Sequence, residues 1–300
     1  MHAATAPLAP GAGRRRWRPG LALVLNALIW GTSWWPFRQL HEQAGLHPLW
    51  TTAGIYLMAV VAIAGSRPAA MRQVLRAPAL WLIVLASGTT NATFNWGVTV
   101  GDVVRVVLLF YLMPLWAVLL ARLMLNETLT RAAMLRVAMA LVGAVIVLWP
   151  QPGHSLGPLR LTDALGLIGG FSFALNNVLL RREARRSESS RALAMFFGGT
   201  VVSGGLALVL GPQQVPWPSP LAPGWLLFAL ALGSLFLLSN LALQYGAARL
   251  PANATAVIML TEVVFASVSA LALGAGSLTP ALAIGGALIV GAAALAAWHP

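Results

Sequence analysis

Long apolar stretches of the chain contain a few polar side chains that could bind a ligand. One acid, Glu262, lies near the middle of an apolar run. A polar group inside a bilayer costs free energy, so such positions are functional candidates. The amides at comparable positions are Asn26, Asn91, Asn95, Asn176, Asn177, Asn240 and Gln244. Together these residues predict a hydrogen-bonding site with a single acid.

Helical spacing places aromatic rings beside several of these amides. Positions three and four apart share one face of a helix. One such face comprises Asn26, Trp30, Ser33, Trp34 and Phe37. Asn91 and Asn95 form a second stripe, and Asn240 and Gln244 form a third. Faces that mix amides with aromatic rings are expected to line a cavity or a helix interface, not to face lipid.

The residues predicted to bind substrate combine these amides with aromatic side chains and the acid. They are Trp30, Asn91, Asn95, Trp96, Tyr111, Asn176, Asn240, Gln244 and Glu262. Two simpler interpretations stay open. Buried amides often serve as interhelical hydrogen bonds, worth ~0.6 kcal/mol on average, and a buried acid can be purely structural. No catalytic residue, metal site or cofactor is predicted.

The composition excludes an ordinary soluble protein. Hydrophobic residues make up 59% of the 300 residues and charged residues 9%, whereas soluble domains carry about 25% charge. The net charge of +12 would suggest nucleic acid in a soluble protein, but here the arginines lie between apolar runs, so no nucleic-acid partner is predicted. The chain has no cysteine and no lysine, which excludes thiolate sites, Walker A loops and Schiff bases.

Apolar runs long enough to cross a bilayer, ~20 residues each, recur along the chain. We predict ten spans, at 21–40, 48–65, 79–97, 103–125, 132–149, 162–181, 192–210, 223–246, 252–274 and 280–298. The first run exceeds the ~7–15 apolar residues of a signal peptide. We therefore predict an all-α, multi-pass membrane protein.

The arginines define an orientation for these spans. If the N-terminus is cytoplasmic, only Arg38, Arg105 and Arg160 of the 19 arginines fall outside. Because cytoplasmic loops are enriched in positive charge, this bias predicts both termini in the cytoplasm and placement in the cell inner membrane.

The two halves of the chain resemble each other weakly. Residues 97–130 align with 246–279 at an offset of 149 (246 − 97), which places Gly97 on Gly246. The predicted organisation is a cytosolic tail at 1–20, a first five-helix repeat at 21–150 and a second at 151–300. An odd number of spans inverts the second repeat, an arrangement typical of secondary transporters with a central cavity at mid-depth.

Several motifs carry a family resemblance. They are residues 30–33 (WGTS), 111–116 (YLMPLW), 126–130 (NETLT), Gly143 ahead of Trp149, 261–263 (TEV) and 285–291. As a set they resemble the EamA-type drug/metabolite transporters over nearly the whole chain, and the aromatic stretch most resembles the YddG-type aromatic amino acid exporters. One departure is Val263, where family members often carry proline, so the kinks of the two halves need not match.

The resemblance implies a cavity between helices one, three and four and their partners six, eight and nine. It also implies export of aromatic and other amino acids, with tolerance for organic cations such as methyl viologen. The residues agree, because neutral amides and aromatic rings suit an aromatic zwitterion or a flat cation. The expected partners are a small-molecule substrate and the lipid bilayer. A monomer is compatible with the pattern, which does not define the oligomeric state.

Other function classes are less well supported. An intramembrane enzyme lacks a candidate constellation, because all five histidines lie in predicted tails or loops. A receptor or scaffold without transport remains an alternative, as does a broad efflux transporter of drugs and organic cations. Proton coupling would need a titratable group, for which Glu262 is the first candidate and Asp102 the second; downhill facilitation is equally compatible.

Overall fold

A computed structural model describes residues 17–100, 103–128, 130–149, 160–220, 222–273 and 279–298. Fourteen helices form the regular structure of these residues. They are α1 (Arg18–Thr32), α2 (Trp34–Glu42), α3 (Pro48–Ser66), α4 (Pro68–Arg76), α5 (Pro78–Val100), α6 (Val103–Phe110), α7 (Met113–Leu125), α8 (Arg131–Leu148), α9 (Leu161–Arg182), α10 (Glu188–Leu210), α11 (Pro223–Ala247), α12 (Ala252–Met259), α13 (Thr261–Ala272) and α14 (Pro280–Trp298). Most of the tail at 1–20, together with Asp102, lies outside the described residues.

Each predicted span contains helix, but not every helix has the length of a full span. By length and apolar composition, six helical segments of the described residues could cross a membrane, or seven if the bent pair α4–α5 counts as one. The all-α fold with multiple apolar helices is therefore confirmed. The total of ten spans stays a prediction.

A short helix, α4, was not predicted. It meets α5 at 97°, and Ala70 and Val74 form its buried side. Gln73 accepts hydrogen bonds from the hydroxyls of Ser190 (2.6 Å) and Ser187 (3.3 Å) at the start of α10. This amphipathic helix therefore covers the end of the bundle where α10 begins.

Three of the predicted spans are interrupted. One interruption, at Ser33, separates α1 from α2. The other two are here called the first and second helix breaks: the first separates α6 from α7 at Tyr111 and Leu112, and the second separates α12 from α13 at Leu260. At all three places a backbone N–H bonds back three residues, from Ser33 to Trp30 (3.1 Å), from Leu112 to Leu109 (3.3 Å) and from Leu260 to Val257 (3.2 Å). Because no backbone group can stay unpaired in lipid, such tight turns allow a helix to bend inside an apolar layer.

The NETLT motif at 126–130 is a junction between helices. Asn126 ends α7 in the left-handed conformation (φ 53°), which asparagine tolerates better than most residues. Thr130 begins α8, where its hydroxyl accepts from the Ala133 N–H at 3.1 Å. Glu127 accepts a hydrogen bond from the backbone of Ala252, so its carboxylate lies at the N-terminus of α12.

Glycines allow two pairs of helices to cross closely. Where α8 packs on α14, a Cβ at Gly143 would lie 2.6 Å from the carbonyl oxygen of Gly285. Where α5 packs on α10, a Cβ at Gly198 would overlap the carbonyl oxygen of Val84. Small residues at such crossings bring membrane helices into van der Waals contact along their backbones.

Replacing Gly198 by alanine should therefore destabilise the protein. The new methyl group meets backbone rather than a flexible side chain, so α5 and α10 must separate. We expect a loss of about 1–3 kcal/mol, or about 2–10 °C in Tm, measured by thermal unfolding in detergent. The control is Gly205→Ala on the same helix, where a Cβ meets nothing within 4 Å. Equal Tm values for the two variants would contradict this close packing.

Candidate functional site

Two cavities meet in the centre of the helix bundle. The outer cavity encloses about 440 Å³ and the inner cavity about 30 Å³. Trp30, Phe94 and Glu262 line both. The two spaces are therefore contiguous, and these three side chains form the boundary between them.

The outer cavity has aromatic walls and a polar rim. Its lining is Trp30, Gly31, Ser33, Trp34, Phe37, Arg38, His41, Glu42, Phe94, Asn95, Val98, Thr99, Val107, Tyr111, Glu262, Val263, Ala266, Ser267 and Ala270. Arg38 pairs with Glu42 at 3.2 Å, and both side chains are 57% exposed. Several lining residues, such as Glu42 and Thr99, lie in the last turns of α2 and α5. The cavity therefore extends toward the end of the bundle where those helices finish, here called the mouth end.

The inner cavity is lined mainly by amides, hydroxyls and rings. Its lining is Asn26, Trp30, Ser87, Thr90, Asn91, Phe94, Phe110, Phe173, Asn176, Met195, Asn240, Leu243, Met259 and Glu262. The buried Tyr56 connects two of these amides: its hydroxyl donates to Asn91 Oδ1 at 2.7 Å and accepts from Asn240 Nδ2 at 3.4 Å. This network joins α3, α5 and α11 behind the cavity wall.

An aromatic cluster lies on the wall that the two cavities share. The ring of Trp30 packs edge-to-face on Phe236 (centroids 4.6 Å apart) and on Phe94 (6.4 Å). Phe94 continues the cluster to Phe110 at 4.5 Å. Edge-to-face pairs each contribute about 0.5–1.5 kcal/mol beyond their burial, so this packing favours the observed orientation of the rings.

The structure brings seven of the nine predicted site residues to the cavities. Trp30, Asn91, Asn95, Tyr111, Asn176, Asn240 and Glu262 are all lining residues. Tyr111 and Glu262, at the two helix breaks, are hydrogen-bonded to each other. Asn95 lines the outer cavity while its Nδ2 donates to Thr52 at 2.8 Å, so it also ties α5 to α3.

Two predicted site residues lie outside both cavities. Trp96 packs in a separate apolar cluster with Leu49 and Trp50, because neighbouring residues of a helix point about 100° apart and Asn95 takes the cavity direction. Gln244 accepts from Arg191 Nε (3.2 Å) and Nη2 (3.0 Å). It lies one turn beyond Asn240, past the end of the inner cavity.

Some residues around the site were not in the predicted set. Thr90, Phe173 and Met195 line the inner cavity, and nothing in their spacing marks them. Asn26 also lines it, and this position was recognisable from the amide and aromatic face of α1. Tyr56 was noted only as a phenol in an apolar run, and its role as the link between two amides requires the tertiary structure.

Polar contacts hold the opposite end of the bundle together. This arginine end, where α9 and α11 finish, contains Arg181, Arg191 and Arg249. Arg191 is 1% exposed and donates from Nη1 to the Glu183 carbonyl at 3.0 Å, in addition to its two bonds to Gln244. Arg249 pairs with Glu188 at 2.6 Å, and Arg181 donates to the Ala248 carbonyl at 3.2 Å.

Two titratable groups in the loops have shifted pKa values. Burial raises the pKa of the Glu127 carboxyl, although the Ala252 N–H and the charge of Arg181 act in the opposite direction. Burial, and to a smaller extent His41, lowers the pKa of the His47 imidazole. A neutral His47 is needed to accept the Leu49 N–H at the start of α3, so this cap contributes above the ordinary histidine pKa and is lost as pH falls through the lowered value.

The Tyr56 network predicts a stability effect. Tyr56→Phe removes the hydroxyl and leaves the buried Asn91 Oδ1 without its donor, which should cost about 1–3 kcal/mol. The ring packing on Phe196, at 5.4 Å between centroids, is retained. The measurement is Tm in detergent, with Tyr245→Phe as control because that ring instead carries Arg249 on its face at 3.8 Å. An unchanged Tm for Tyr56→Phe would show that the network does not stabilise the fold.

Comparison with known proteins agrees with this architecture. No curated protein sequence matches the chain, whereas 28 chains of solved structures do. One of them, described as "Crystal structure of protein", has a TM-score of 0.74 and 21% identity, over 93% of this chain and 96% of its own. This likeness establishes the fold. Residues 18–149 match the model of the EamA-like transporter family.

Proposed function

We propose that the protein is a secondary transporter in the cell inner membrane that exports amino acids, with aromatic ones favoured. The observation that carries this proposal is the outer cavity of about 440 Å³, walled by aromatic rings and adjacent to an amide-lined inner cavity. The match of residues 18–149 to a transporter family supports transport as the general activity. Small-molecule sites commonly combine apolar walls with a few well-placed polar groups in this way.

The lining chemistry favours neutral or zwitterionic substrates. Trp34, Phe37 and Phe94 offer ring faces and edges for an aromatic side chain, worth about 0.5–1.5 kcal/mol per ring pair. Among the described residues that line the cavities, Arg38 is the one arginine, and it is already paired with Glu42 at the mouth end. A strongly anionic substrate would need an arginine at mid-depth, and the described lining residues include none there.

The two halves are proposed to be inverted repeats, at 21–150 and 151–300. The offset of 149 seen in the sequence relates structural features as well. It places Tyr111, at the first helix break, on Leu260, at the second. It also relates two caps: Thr130 accepts from the Ala133 N–H and Thr279 from the Leu282 N–H, both at 3.1 Å.

Alternating access is the proposed mechanism. The outer cavity extends to the mouth end, while the arginine end is closed by the contacts of Arg181, Arg191 and Arg249. With the arginine end in the cytoplasm, as the positive-inside rule favours, this conformation faces outward. Transport then requires a second conformation in which the arginine end opens and the mouth end closes.

A broad efflux transporter of organic cations is the second candidate. Ring faces attract flat cations, and Glu262 lines both cavities as the one acid at mid-depth among the described lining residues.

Proton coupling through Glu262 and downhill facilitation are both compatible with this position. Uptake into sealed vesicles with and without a pH gradient distinguishes them. A receptor or scaffold, the alternative from another class, would not move substrate at all.

The substrate assignment predicts a ranking in proteoliposomes. Labelled phenylalanine and tryptophan should move faster than threonine by a few-fold, since stacking adds roughly 0.5–1.5 kcal/mol per ring pair. Glutamate should move slowest, because its extra carboxylate meets no mid-depth cation. Fast glutamate transport with no movement of the aromatic pair would refute this substrate class.

A pair of tryptophan variants tests whether the outer cavity sets this ranking. Trp30→Ala should reduce the preference for aromatic substrates over threonine. Trp225→Ala is the control: Trp225 packs edge-to-face on Phe228 at 5.7 Å but lines neither cavity. If both variants lower all rates equally, the aromatic lining is structural.

The absence of cysteine makes accessibility easy to measure. A cysteine in place of Ser267, which lines the outer cavity, should react in intact cells with a membrane-impermeant maleimide. Labelling should fall when phenylalanine is added. Ala184→Cys, in the exposed turn between α9 and α10 at the arginine end, should react only after permeabilisation. The reverse pattern would overturn the proposed orientation.

A further inference from the structure

The inner cavity has an excess of hydrogen-bond acceptors. Most donors on its wall are already used within the protein. Asn91 donates from Nδ2 to the Ser87 carbonyl at 2.7 Å, Asn240 to the Phe236 carbonyl at 3.0 Å, and the Thr90 hydroxyl to the Ala86 carbonyl at 2.8 Å. The Ser87 hydroxyl donates to the Met195 carbonyl at 3.3 Å.

The acceptors on the same wall are not all used. Asn26 Oδ1 and Asn176 Oδ1 are buried and have no hydrogen-bond partner among the described residues. Asn26 is 0% exposed and Asn176 2% exposed. The orientation of the Asn26 amide is fixed, because its Nδ2 donates to the Ser239 carbonyl at 2.8 Å, a contact that an oxygen could not make. An unpaired buried acceptor is costly, so a donor that enters the adjacent cavity and reaches these oxygens would be stabilised there.

Glu262 supplies a third acceptor. Its carboxyl group lines the inner cavity and bonds to Tyr111, but a carboxylate has about four lone-pair positions, so further sites remain. Three side chains that carry these acceptors, one of them acidic, line a space of about 30 Å³. This space admits a group of the size of a water molecule, and an aromatic ring does not fit in it.

A primary ammonium group matches this site in every respect. It has three N–H donors, no acceptor and a positive charge, whereas a water molecule offers only two donors and no charge. A hard divalent cation such as Mg²⁺ is a poorer match, because it favours about six oxygen ligands. We infer that the inner cavity is an ammonium subsite, in which Asn26, Asn176 and Glu262 receive the amino group of the substrate.

The outer cavity then holds the rest of the substrate beyond Trp30 and Phe94. Several of its donors are also used within the protein. Asn95 donates to Thr52 at 2.8 Å, and Trp34 Nε1 donates to Ser269 at 3.0 Å. A substrate carboxylate therefore finds few free hydrogen-bond donors in the outer cavity. Recognition then depends on the ammonium group and the aromatic ring. This inference rests on the proposed transport function and narrows its substrate class to compounds with a primary amine and an aromatic body, with or without a carboxylate.

A competition experiment tests the ammonium group and the carboxylate of the substrate separately. Transport of labelled phenylalanine in proteoliposomes is measured against phenethylamine, phenylalanine methyl ester, N-acetylphenylalanine and 3-phenylpropionate. The two compounds with a free ammonium group should compete within about 10-fold of unlabelled phenylalanine. The two without it should be weaker by roughly 10- to 100-fold, the usual effect of losing hydrogen bonds to a charged group. Equal competition by all four compounds would overturn the ammonium subsite while leaving the transport function intact.

Adjacent asparagines provide a matched pair of variants. Asn176→Ala and Glu262→Gln should each weaken competition by phenethylamine more than competition by 3-phenylpropionate. Asn177→Ala should change competition by neither compound, because Asn177 is 0% exposed and does not line the inner cavity. Its amide atoms also have no partner among the described residues. A uniform loss for both ligands in Asn176→Ala would indicate a structural role and contradict the proposal.

Direct binding keeps the proposal testable if phenylalanine is not transported. Calorimetry of phenethylamine, ammonium chloride and sodium chloride with detergent-solubilised protein gives three distinct results. Binding of phenethylamine that is lost in Glu262→Gln supports the subsite even if the transport function fails. Binding of either inorganic salt without phenethylamine would assign the cavity to a free ion, and no amine binding at all would exclude the subsite.

Discussion

The structure depends on a single constraint: every backbone hydrogen-bonding group inside the apolar layer must find a partner within the protein. Three helical segments are interrupted in that layer, at Ser33, Tyr111 and Leu260, and each interruption closes with a backbone bond to the third residue before. Residues at or next to the interruptions, Ser33, Tyr111 and Glu262, line the outer cavity. The surrounding helices must therefore shield these interruptions from lipid.

Two polar side chains of the cavity wall have two roles: each joins two helices and also lines a cavity. Asn26 ties α1 to α11 through its Nδ2, yet its Oδ1 remains buried and unpaired. Asn95 ties α5 to α3 and still lines the outer cavity. In each case the contact that fixes the helix also fixes the direction of the remaining polar atom. Such preorganisation reduces the entropy lost when a ligand binds.

Sequence patterns predicted most of the helix faces that point to the cavities, but not how far along each helix the cavities extend. The spacing of Trp30, Asn91 and Asn95 identified helix faces that the structure turns toward the centre, because helical periodicity fixes direction. It does not say where along a helix a cavity ends, so Gln244 was included although it contacts Arg191 one turn further on. The break at Leu260 was not expected to match the first, since Val263 stands in place of proline. At that break α12 and α13 pack against α1 and α14, contacts that only the tertiary structure reveals.

The contacts of the arginine end differ in strength, and this difference bears on how the proposed transporter could open. Arg191 is buried, and its three hydrogen bonds to Gln244 and Glu183 join α10, α11 and the turn before α10. Hydrogen bonds to a buried charge are costly to break, so these elements are expected to move together. The pair between Arg181 and Glu127 is longer, at 3.8 Å, and partly exposed, and pairs of this kind contribute only about 0–1 kcal/mol. It joins α9 to the junction that leads into α8, a helix that packs mainly on α14. Opening is therefore expected to separate the α8–α14 side from α9, because the long and partly exposed pair of Arg181 and Glu127 crosses that boundary.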